Sequence, residues 1–455
     1  MVNDVRAIAF YLPQYHPIPE NDEWWGKGFT EWTKVVEGKP LFHGHYQPQL
    51  PGPLGFYDLR LPEVREAQAR LARQYGIHGF CYYHYWFAGK RLLERPFTEV
   101  LVSGRPDFPF CLCWANENWT RRWDGQNQEI LIAQNYSADG DRAMIRELIP
   151  AFKDPRYIRV DGRPLLLVYR ALDLPAPRAS AAIWREEAAA AGLPGLYLCR
   201  VESFDEAASA ADPAQIGFDA ACEFPPHGVR PTDPTAPIAG LDPDFCGLIY
   251  DYAQVARDFA ARPTPSYRRF HGVMPSWDNT ARVGRRAGIA AHAGPEAYRS
   301  WLETVVNRTR RDKEGDEKLV FINAWNEWGE GCHLEPDRRH GLAWLEATRA
   351  ALNGAAPKMT FDASEGAHLP IYRQIERLAK ELGLDGTGPE VVLRELSKLA
   401  SHWNASLARR DDVITALNEK LAQATAIVAA QQRGLAERDG LIAALRGKLT
   451  ASDAA

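Results

Sequence analysis

The sequence of 455 residues lacks an excess of positive charge, a Cys-x-x-Cys pair and any apolar run long enough to cross a membrane. Its 54 basic and 59 acidic residues leave a net charge of −5, which argues against a nucleic-acid-binding protein, because such proteins usually carry a basic face. A spanning helix needs about 20 apolar residues, so no transmembrane segment is expected. The seven cysteines are expected to be reduced core residues.

The stretch MVNDVRAIAF has neither the basic segment nor the apolar core of a secretory signal peptide. We therefore expect a cytoplasmic protein, either free or peripheral at the inner membrane. Neither a G-x-G-x-x-G turn nor a Walker A motif is present, so the sequence carries no signal for a nucleotide-binding fold.

Short apolar runs and amphipathic stretches alternate through residues 1–355. Eight runs predict buried strands: Arg6–Leu12, Ile77–Tyr85, Phe108–Ala115, Pro164–Tyr169, Leu196–Val201, Phe218–Phe224, Gly272–Trp277 and Leu319–Trp325. A stretch with helical spacing follows each of them: Pro62–Tyr75, Leu92–Val100, Asp141–Phe152, Arg178–Ala191, Phe204–Ala211, Tyr252–Ala261, Pro295–Arg308 and Leu342–Leu352. This order predicts an α/β fold, a (β/α)8 TIM barrel. A doubly wound open sheet is the rival, but it would normally carry a Gly-rich phosphate turn.

Composition changes after the predicted barrel. Residues 356–389 hold Gly and Pro and predict a linker with a short helix, and residues 390–455 are rich in Ala, Leu, Arg and Glu. Apolar residues recur there at alternate spacings of three and four, and LARRDDVITALNEKL is repeated as LAERDGLIAALRGKL. This pattern predicts a coiled-coil tail that forms a homo-oligomer or docks a partner. The alternative is a single helix packed on the barrel.

Aromatic rings recur beside carboxylates and amides at the predicted strand ends, where barrel enzymes carry their sites. The candidate binding residues are Tyr11, Tyr15, His16, His84, Trp86, Trp114, Asn116, Glu117, Trp119, Tyr169, Trp277, Asp278, Trp325 and Asn326. Sugars suit such a surface, because their CH faces stack on rings while their hydroxyls bond to carboxylates and amides. We therefore predict an oligosaccharide or polysaccharide substrate, with no metal and no cofactor. For any single residue, the alternative is packing at the barrel rim.

The segment AWNEWGEGCHLEP, residues 324–336, carries the strongest chemical signal. Glu327 and Glu330 lie close together just past an apolar run, beside Trp325 and Trp328. When a ring desolvates one of two carboxylates, their pKa values separate, and one serves as base while the other serves as acid. Glycoside cleavage needs that division, so both glutamates are candidate catalytic residues. The alternative is a pair of capping residues for a following helix.

Two weaker motifs have simpler interpretations. His43 and His45 have no accompanying carboxylate cluster or cysteine, so a polar loop is favoured over a metal site. Asp242-Pro-Asp244 matches the D-x-D of nucleotide-sugar transferases, but it lies in a Pro-rich loop without a nucleotide-binding fold, which favours chance.

Several blocks carry a family resemblance over about residues 5–350. AWNEWGEGCHLEP resembles the W-N-E-W-x-E-G-x-x-(I/L)-E-P signature of glycoside hydrolase family 99, the endo-α-mannosidases and endo-mannanases. FYLPQYHPIPEND, EWWGKGFTEWTKV, YYHYWF and CWANENWTRRWDG resemble the bacterial family 99-like proteins of the WbsX type, described as glycosyltransferases or lipopolysaccharide biosynthesis proteins.

The resemblance implies a retaining, metal-independent (β/α)8 enzyme. In that family the carboxylate matching Glu327 deprotonates the substrate's own 2-hydroxyl, which attacks C1 and gives an anhydro-sugar. The one matching Glu330 protonates the leaving oxygen and later activates water. Tyr11 or Tyr15, and Trp114, match aromatics of the sugar pocket. The block Asn116–Trp119 has no match to a known role.

Three functions remain open. The first is a glycosidase or transglycosylase acting on α-mannose-like linkages of a bacterial surface polysaccharide. The second is a glycosyltransferase of O-antigen or capsule synthesis. The third is a non-catalytic glycan-binding scaffold, against which two intact catalytic glutamates argue.

Overall fold

Eight parallel strands close into a barrel in the computed structural model, which describes residues 4–121, 126–204, 212–228 and 238–353. The barrel strands are β1 (Arg6–Tyr11), β2 (Ile77–Phe87), β3 (Phe110–Trp114), β4 (Arg163–Val168), β5 (Tyr197–Glu202), β6 (Ala220–Glu223), β7 (Arg269–Val273) and β8 (Leu319–Ile322). Each strand pairs with its neighbours in chain order, and β1 pairs with both β2 and β8. The predicted (β/α)8 fold is therefore confirmed.

Helices follow most of the strands on the outside of the barrel. They are α1 (Pro62–Gln74), α2 (Arg95–Ser103), α3 (Ala138–Lys153), α4 (Pro177–Ala190), α5 (Tyr252–Ala261), α6 (Pro295–Asp312) and α7 (Ala343–Asn353). Proline begins α1, α4 and α6, because its fixed φ and missing N–H suit the first helical position. The helix predicted at Phe204–Ala211 lies almost wholly outside the described residues.

Loop segments above the barrel carry further short elements. The helices Pro19–Trp25, Glu31–Val35 and Thr280–Val283 lie after β1 and β7. The short strands are Lys90–Leu92, Trp119–Arg121, Gln126–Ile132, Arg159–Val160, Leu248–Asp251, Gly288–Ala291, Asn326–Glu327 and Cys332–His333. Several of these insertions, among them Pro19–Trp25, Trp119–Arg121 and Thr280–Val283, contribute residues to the cavity described below.

The position of β7 corrects the sequence-based prediction. The strand begins at Arg269 and ends at Val273, not at Trp277. Arg269 and His271 are buried and lie 3.2 and 3.3 Å from Glu223, so polar partners of a buried carboxylate occupy positions that an apolar run would normally fill. A search for apolar runs misses such a strand, because buried charges must be paired rather than apolar.

Large rings fill the barrel interior. Phe10 lies 5.7, 5.0 and 5.8 Å, between ring centroids, from Tyr83, Phe224 and Phe321. Six of the seven cysteines are buried, as expected, and Cys246 is exposed. The interior is thus a packed core that closes the barrel below its carboxyl-terminal end.

The barrel belongs to one unit, Met1–Pro357. Within the described residues, no helix combines the length and apolar character needed to cross a membrane. The predicted linker 356–389 and coiled-coil tail 390–455 lie outside the described residues, so both stay predictions.

Candidate active site

A cavity of about 510 Å³ lies at the carboxyl ends of the barrel strands, the end at which barrel enzymes carry their sites. Residues at or beyond the ends of all eight strands contribute to its lining. Six predicted residues are among them: Glu117, Trp119, Tyr169, Trp277, Glu327 and Glu330. The fold therefore brings both signature glutamates to one cavity with three of the predicted rings.

Three carboxylates converge on one guanidinium at this cavity. Arg282 Nη2 lies 2.9 Å from Glu31 Oε1 and 2.7 Å from Glu327 Oε2. Its Nη1 lies 2.5 Å from Glu330 Oε1. The fork of guanidinium donors suits this arrangement, since each terminal nitrogen can hold a different carboxylate in a defined place. The two signature glutamates are thus held by neighbouring nitrogens of the same side chain.

Short loop elements build this carboxylate cluster. The helix Thr280–Val283 after β7 carries Arg282, and the helix Glu31–Val35 begins at the first carboxylate. Glu327 immediately precedes the tight turn Trp328–Glu330 after β8, and Glu330 is its last residue. A pair of tryptophan rings 5.4 Å apart packs the second helix against that turn. The cluster therefore depends on three loops that are distant in sequence.

The turn permits close approach only because its middle residue is glycine. A Cβ at Gly329 would lie 2.0 Å from Glu31 Oε1 and 3.0 Å from Arg282 Nε. We expect Gly329→Ala to displace the cluster and to lower the free energy of unfolding by about 1–3 kcal/mol, measured by denaturant titration. Gly288→Ala is the control, because its nearest contact would be an ordinary 3.5 Å. Equal stability of the two variants would contradict this account.

Burial dominates the acid–base behaviour of the cluster. It raises the pKa of Glu327 to about 8, an increase that Arg282 opposes and Glu330 reinforces. Burial also raises the pKa of Glu31, again against the opposing charge of Arg282. At neutral pH the folded protein therefore keeps Glu327 largely protonated.

Aromatic rings form the walls around these carboxylates. Tyr83 lies 6.3 Å from Tyr169, which lies 5.3 Å from Phe224, measured between ring centroids. On another wall, Tyr85 lies 5.2 Å from Trp119. All five residues line the cavity, which gives it the flat faces on which a sugar ring stacks.

The alternation of side chains along β2 explains one group of predicted residues that lies elsewhere. Tyr83 and Tyr85 line the cavity, whereas His84 and Trp86 are buried outside its lining, because successive side chains of a strand point to opposite faces. Trp114 of β3 likewise lies outside the lining, with its Nε1 3.4 Å from the Trp86 carbonyl. The predicted residues His84 and Trp86 thus lie on the face of β2 that packs against the rest of the protein.

Two predicted amides clamp the loops instead of lining the cavity. Asn326 Oδ1 accepts from the Leu12 N–H at 2.7 Å, and its Nδ2 donates to the Leu12 carbonyl at 3.0 Å. Tyr15 donates its hydroxyl proton to the Asn326 carbonyl. Asn116 makes the same kind of paired contact with the backbone of Arg170, at 2.8 and 2.9 Å. These residues hold the backbone next to cavity residues.

The remaining predicted residues are part of the surrounding packing. Tyr11 donates to Gln68 Oε1 at 2.7 Å, and Trp325 is fully buried. His16 is also buried, which lowers its pKa to about 4. Asp278 faces a second cavity and binds His45 Nε2 at 2.7 Å.

Three residues of the site, Arg282, Glu31 and His227, were not predicted from the sequence. Arg282 is one arginine among many in a loop, and nothing local marks it. Glu31 stands between Phe29 and Trp32, a carboxylate among rings like the predicted ones, so the same reasoning could have found it. His227 lies 4.1 Å from Phe204, between ring centroids, and follows β6 by four residues, beyond the apolar run that predicts the strand.

The two weaker motifs have ordinary partners. His45 Nδ1 accepts from the Leu41 N–H at 2.9 Å, and Asp242 and Asp244 lie 3.0 and 3.2 Å from Arg285. In the described ranges, no group of three or more His, Cys, Asp or Glu side chains is arranged to hold a metal ion.

Comparisons with known proteins place the chain in a family. The family model described as Glycosyltransferase WbsX matches residues 7–348. Two curated relatives, both named uncharacterized protein WxcX, come from Xanthomonas campestris pv. campestris strains B100 and ATCC 33913. Each is 50% identical over 365 residues, which are 80% of this chain and 52% of the relative. The chain thus spans about half the length of the curated relatives it matches.

Solved structures of low identity also align with the chain. A glycoside hydrolase-like protein aligns at 14% identity and a TM-score of 0.48, over 77% of this chain and 95% of its own. The GH99 endo-alpha-mannosidase from Bacteroides thetaiotaomicron aligns at 13% identity and a TM-score of 0.47, over 78% and 98%. The family match extends over the whole barrel, and the chain therefore belongs to the glycan-related enzyme family described as Glycosyltransferase WbsX.

Proposed function

We propose that the chain is a retaining glycosidase or transglycosylase acting on α-mannose-like linkages of a bacterial surface polysaccharide. The observation that carries this proposal is the pair Glu327 and Glu330, bound to one arginine in a cavity with aromatic walls. Two carboxyl groups with separate proton roles are what glycoside cleavage requires. The rings supply the stacking surface for the sugars on either side of the bond that breaks.

The assignment of Glu327 as the base rests on its place in the signature segment and at the cavity. Only its ionised form can take a proton from a sugar hydroxyl; with a pKa of about 8 that form is the minor one at neutral pH, but it binds a proton more tightly than an ordinary carboxylate. Glu330 is assigned as the acid that protonates the leaving oxygen and later activates water. Arg282 positions both, and its positive charge offsets their mutual repulsion.

The proposal is tested by incubating the protein with α-linked manno-oligosaccharides and following new reducing ends, with NMR to identify the first-formed anomer. We expect Glu330→Gln to reduce the rate about 10²- to 10⁴-fold, because proton transfer to the leaving oxygen is lost. Glu314→Gln is the control, since Glu314 is exposed and remote from the cavity. Full activity in Glu330→Gln would refute the assignment.

A second candidate is transfer from an activated sugar, and the family description favours it. Thermal shifts separate the two. Stabilisation by mannobiose or a mannose-configured iminosugar supports the hydrolase or transglycosylase, whereas stabilisation only by GDP-mannose or a UDP-sugar with Mn²⁺ supports the transferase. Binding without any turnover, unchanged in Glu327→Gln, would support a glycan-binding scaffold.

A further inference from the structure

A second cavity of about 330 Å³ lies beside the first, at the same end of the barrel. Its walls come from the loops after β1, β7 and β8, and Trp277 lines both cavities. Gly331 and His333 of the signature segment also line the second cavity. The second cavity is therefore next to the proposed catalytic turn and falls within the volume range of small-molecule sites.

Rings and histidines dominate the lining of this second cavity. Phe42 stacks on His45 with 4.5 Å between centroids and an interplanar angle of 6°. His340 packs edge-on to Trp344 at 5.2 Å. Five histidines in all face the cavity: His43, His45, His292, His333 and His340. His45, His292 and His333 each already place a ring nitrogen 2.7–3.3 Å from an aspartate, which leaves His43 and His340 as the candidate imidazole donors to a ligand.

The two buried acids of the cavity are already satisfied by protein donors. Asp278 accepts from Gln47 Nε2 at 2.7 Å and Thr280 Oγ1 at 2.5 Å, in addition to its contact with His45. Asp337 accepts from Trp344 Nε1 at 3.3 Å and lies 3.3 Å from His333 Nε2. Both carboxylates line the cavity but already have protein donors, so an anion there would have to be held by other groups.

Arg339 lines this cavity and carries a positive charge at all ordinary pH values. It is exposed, and its guanidinium carbon lies 5.0 Å from the centroid of the Tyr46 ring. A cation–π contact of this kind does not use up the guanidinium N–H donors, which can still bind an anion. Loops after strands 7 and 8 are also where barrel enzymes frequently bind phosphate.

We propose that the second cavity binds an anionic sugar residue of the glycan, one that carries a phosphate or a carboxylate, and that Arg339, with His43 and His340, holds the anion. The inference rests on the proposed function for its assumption that the substrate is a glycan. It adds a specificity: chains with an anionic residue next to the reacting linkage bind better than neutral chains.

Calorimetric titration of the full chain with glucose 1-phosphate, glucuronate and glucose tests this. We expect at least one anionic sugar to bind about tenfold more tightly than glucose, and Arg339→Gln to remove that advantage. The stronger of the two anionic ligands identifies phosphate or carboxylate as the source. Arg338→Gln is the matched control, because Arg338 is also exposed but does not line the cavity.

Equal binding of charged and neutral sugars, or equal loss in both arginine variants, would overturn the proposal. Glu327→Gln separates this inference from the catalytic one, because it alters only the first cavity. Anionic binding that persists in Glu327→Gln supports the second cavity as the site, whether or not the protein cleaves a glycan. Loss of anionic binding in that variant would assign the anion to the first cavity and contradict the proposal.

Discussion

Arg282→Gln is expected to lower the free energy of unfolding by roughly 3 kcal/mol at pH 8, measured by denaturant titration. The substitution removes the cation that three carboxylates share, and leaves Glu31 and Glu327 buried without it. The loss is expected to be larger at pH 8 than at pH 5. At the lower pH the two buried acids, whose pKa values burial has already raised, take up protons and no longer need the cation.

A nearby arginine provides the control for this result. Arg285 pairs with Asp242 and Asp244, but more than half of its side chain is exposed at 54%. Exposed pairs contribute little to stability, so Arg285→Gln is expected to unfold close to wild type. If Arg282→Gln were as stable as Arg285→Gln, the carboxylate cluster would not be the electrostatic centre of the site.

Glu327→Gln is expected to have the opposite effect on stability. The pKa of Glu327 rises from 4.5 to about 8 on folding, so the folded state binds a proton that the unfolded state releases between these values. The contribution of this group to wild-type stability therefore falls as pH rises from about 4.5 to 8. Glutamine removes this penalty, and the gain should be near zero at pH 4.5 and about 1–3 kcal/mol at pH 8.

Thermal unfolding across pH 4.5 to 8 measures this difference. Glu314→Gln serves as the control, because it replaces an exposed glutamate with the same amide. A stability difference between Glu327→Gln and wild type that did not grow with pH would contradict the raised pKa. If the prediction holds, a desolvated glutamate is kept at a cost in stability, which is a common feature of catalytic sites.

The sequence identified the carboxylates but not the residue that organises them. Glu327 and Glu330 are three apart in one segment, and the rings beside them mark an unusual environment. Arg282 lies in a different loop, and only the closure of β7 next to β8 brings the two loops together. Contacts across a barrel depend on strand order and shear, which no local pattern records.

The apolar runs of the sequence also do not show which face of a strand points into the cavity. In β2 every residue from Phe80 to Tyr83 is buried, so the run shows no alternation of apolar and polar side chains. Strands of a parallel barrel are covered on both faces, and this is why they read as continuous apolar segments. Only the structure therefore shows that Tyr83 and Tyr85 line the cavity and that His84 and Trp86 do not.

By itself, the sequence determined the (β/α)8 class, the positions of most strands and helices, and the segment that holds the candidate catalytic acids. These features follow from local periodicity and from residue chemistry, and both can be recognised within a short stretch of sequence. The tertiary structure alone decided which rings face the cavity, the pairing of three carboxylates with Arg282, and the second cavity beside Trp277. Those features depend on distant loops meeting at one end of the barrel, and on the desolvation that such a meeting produces.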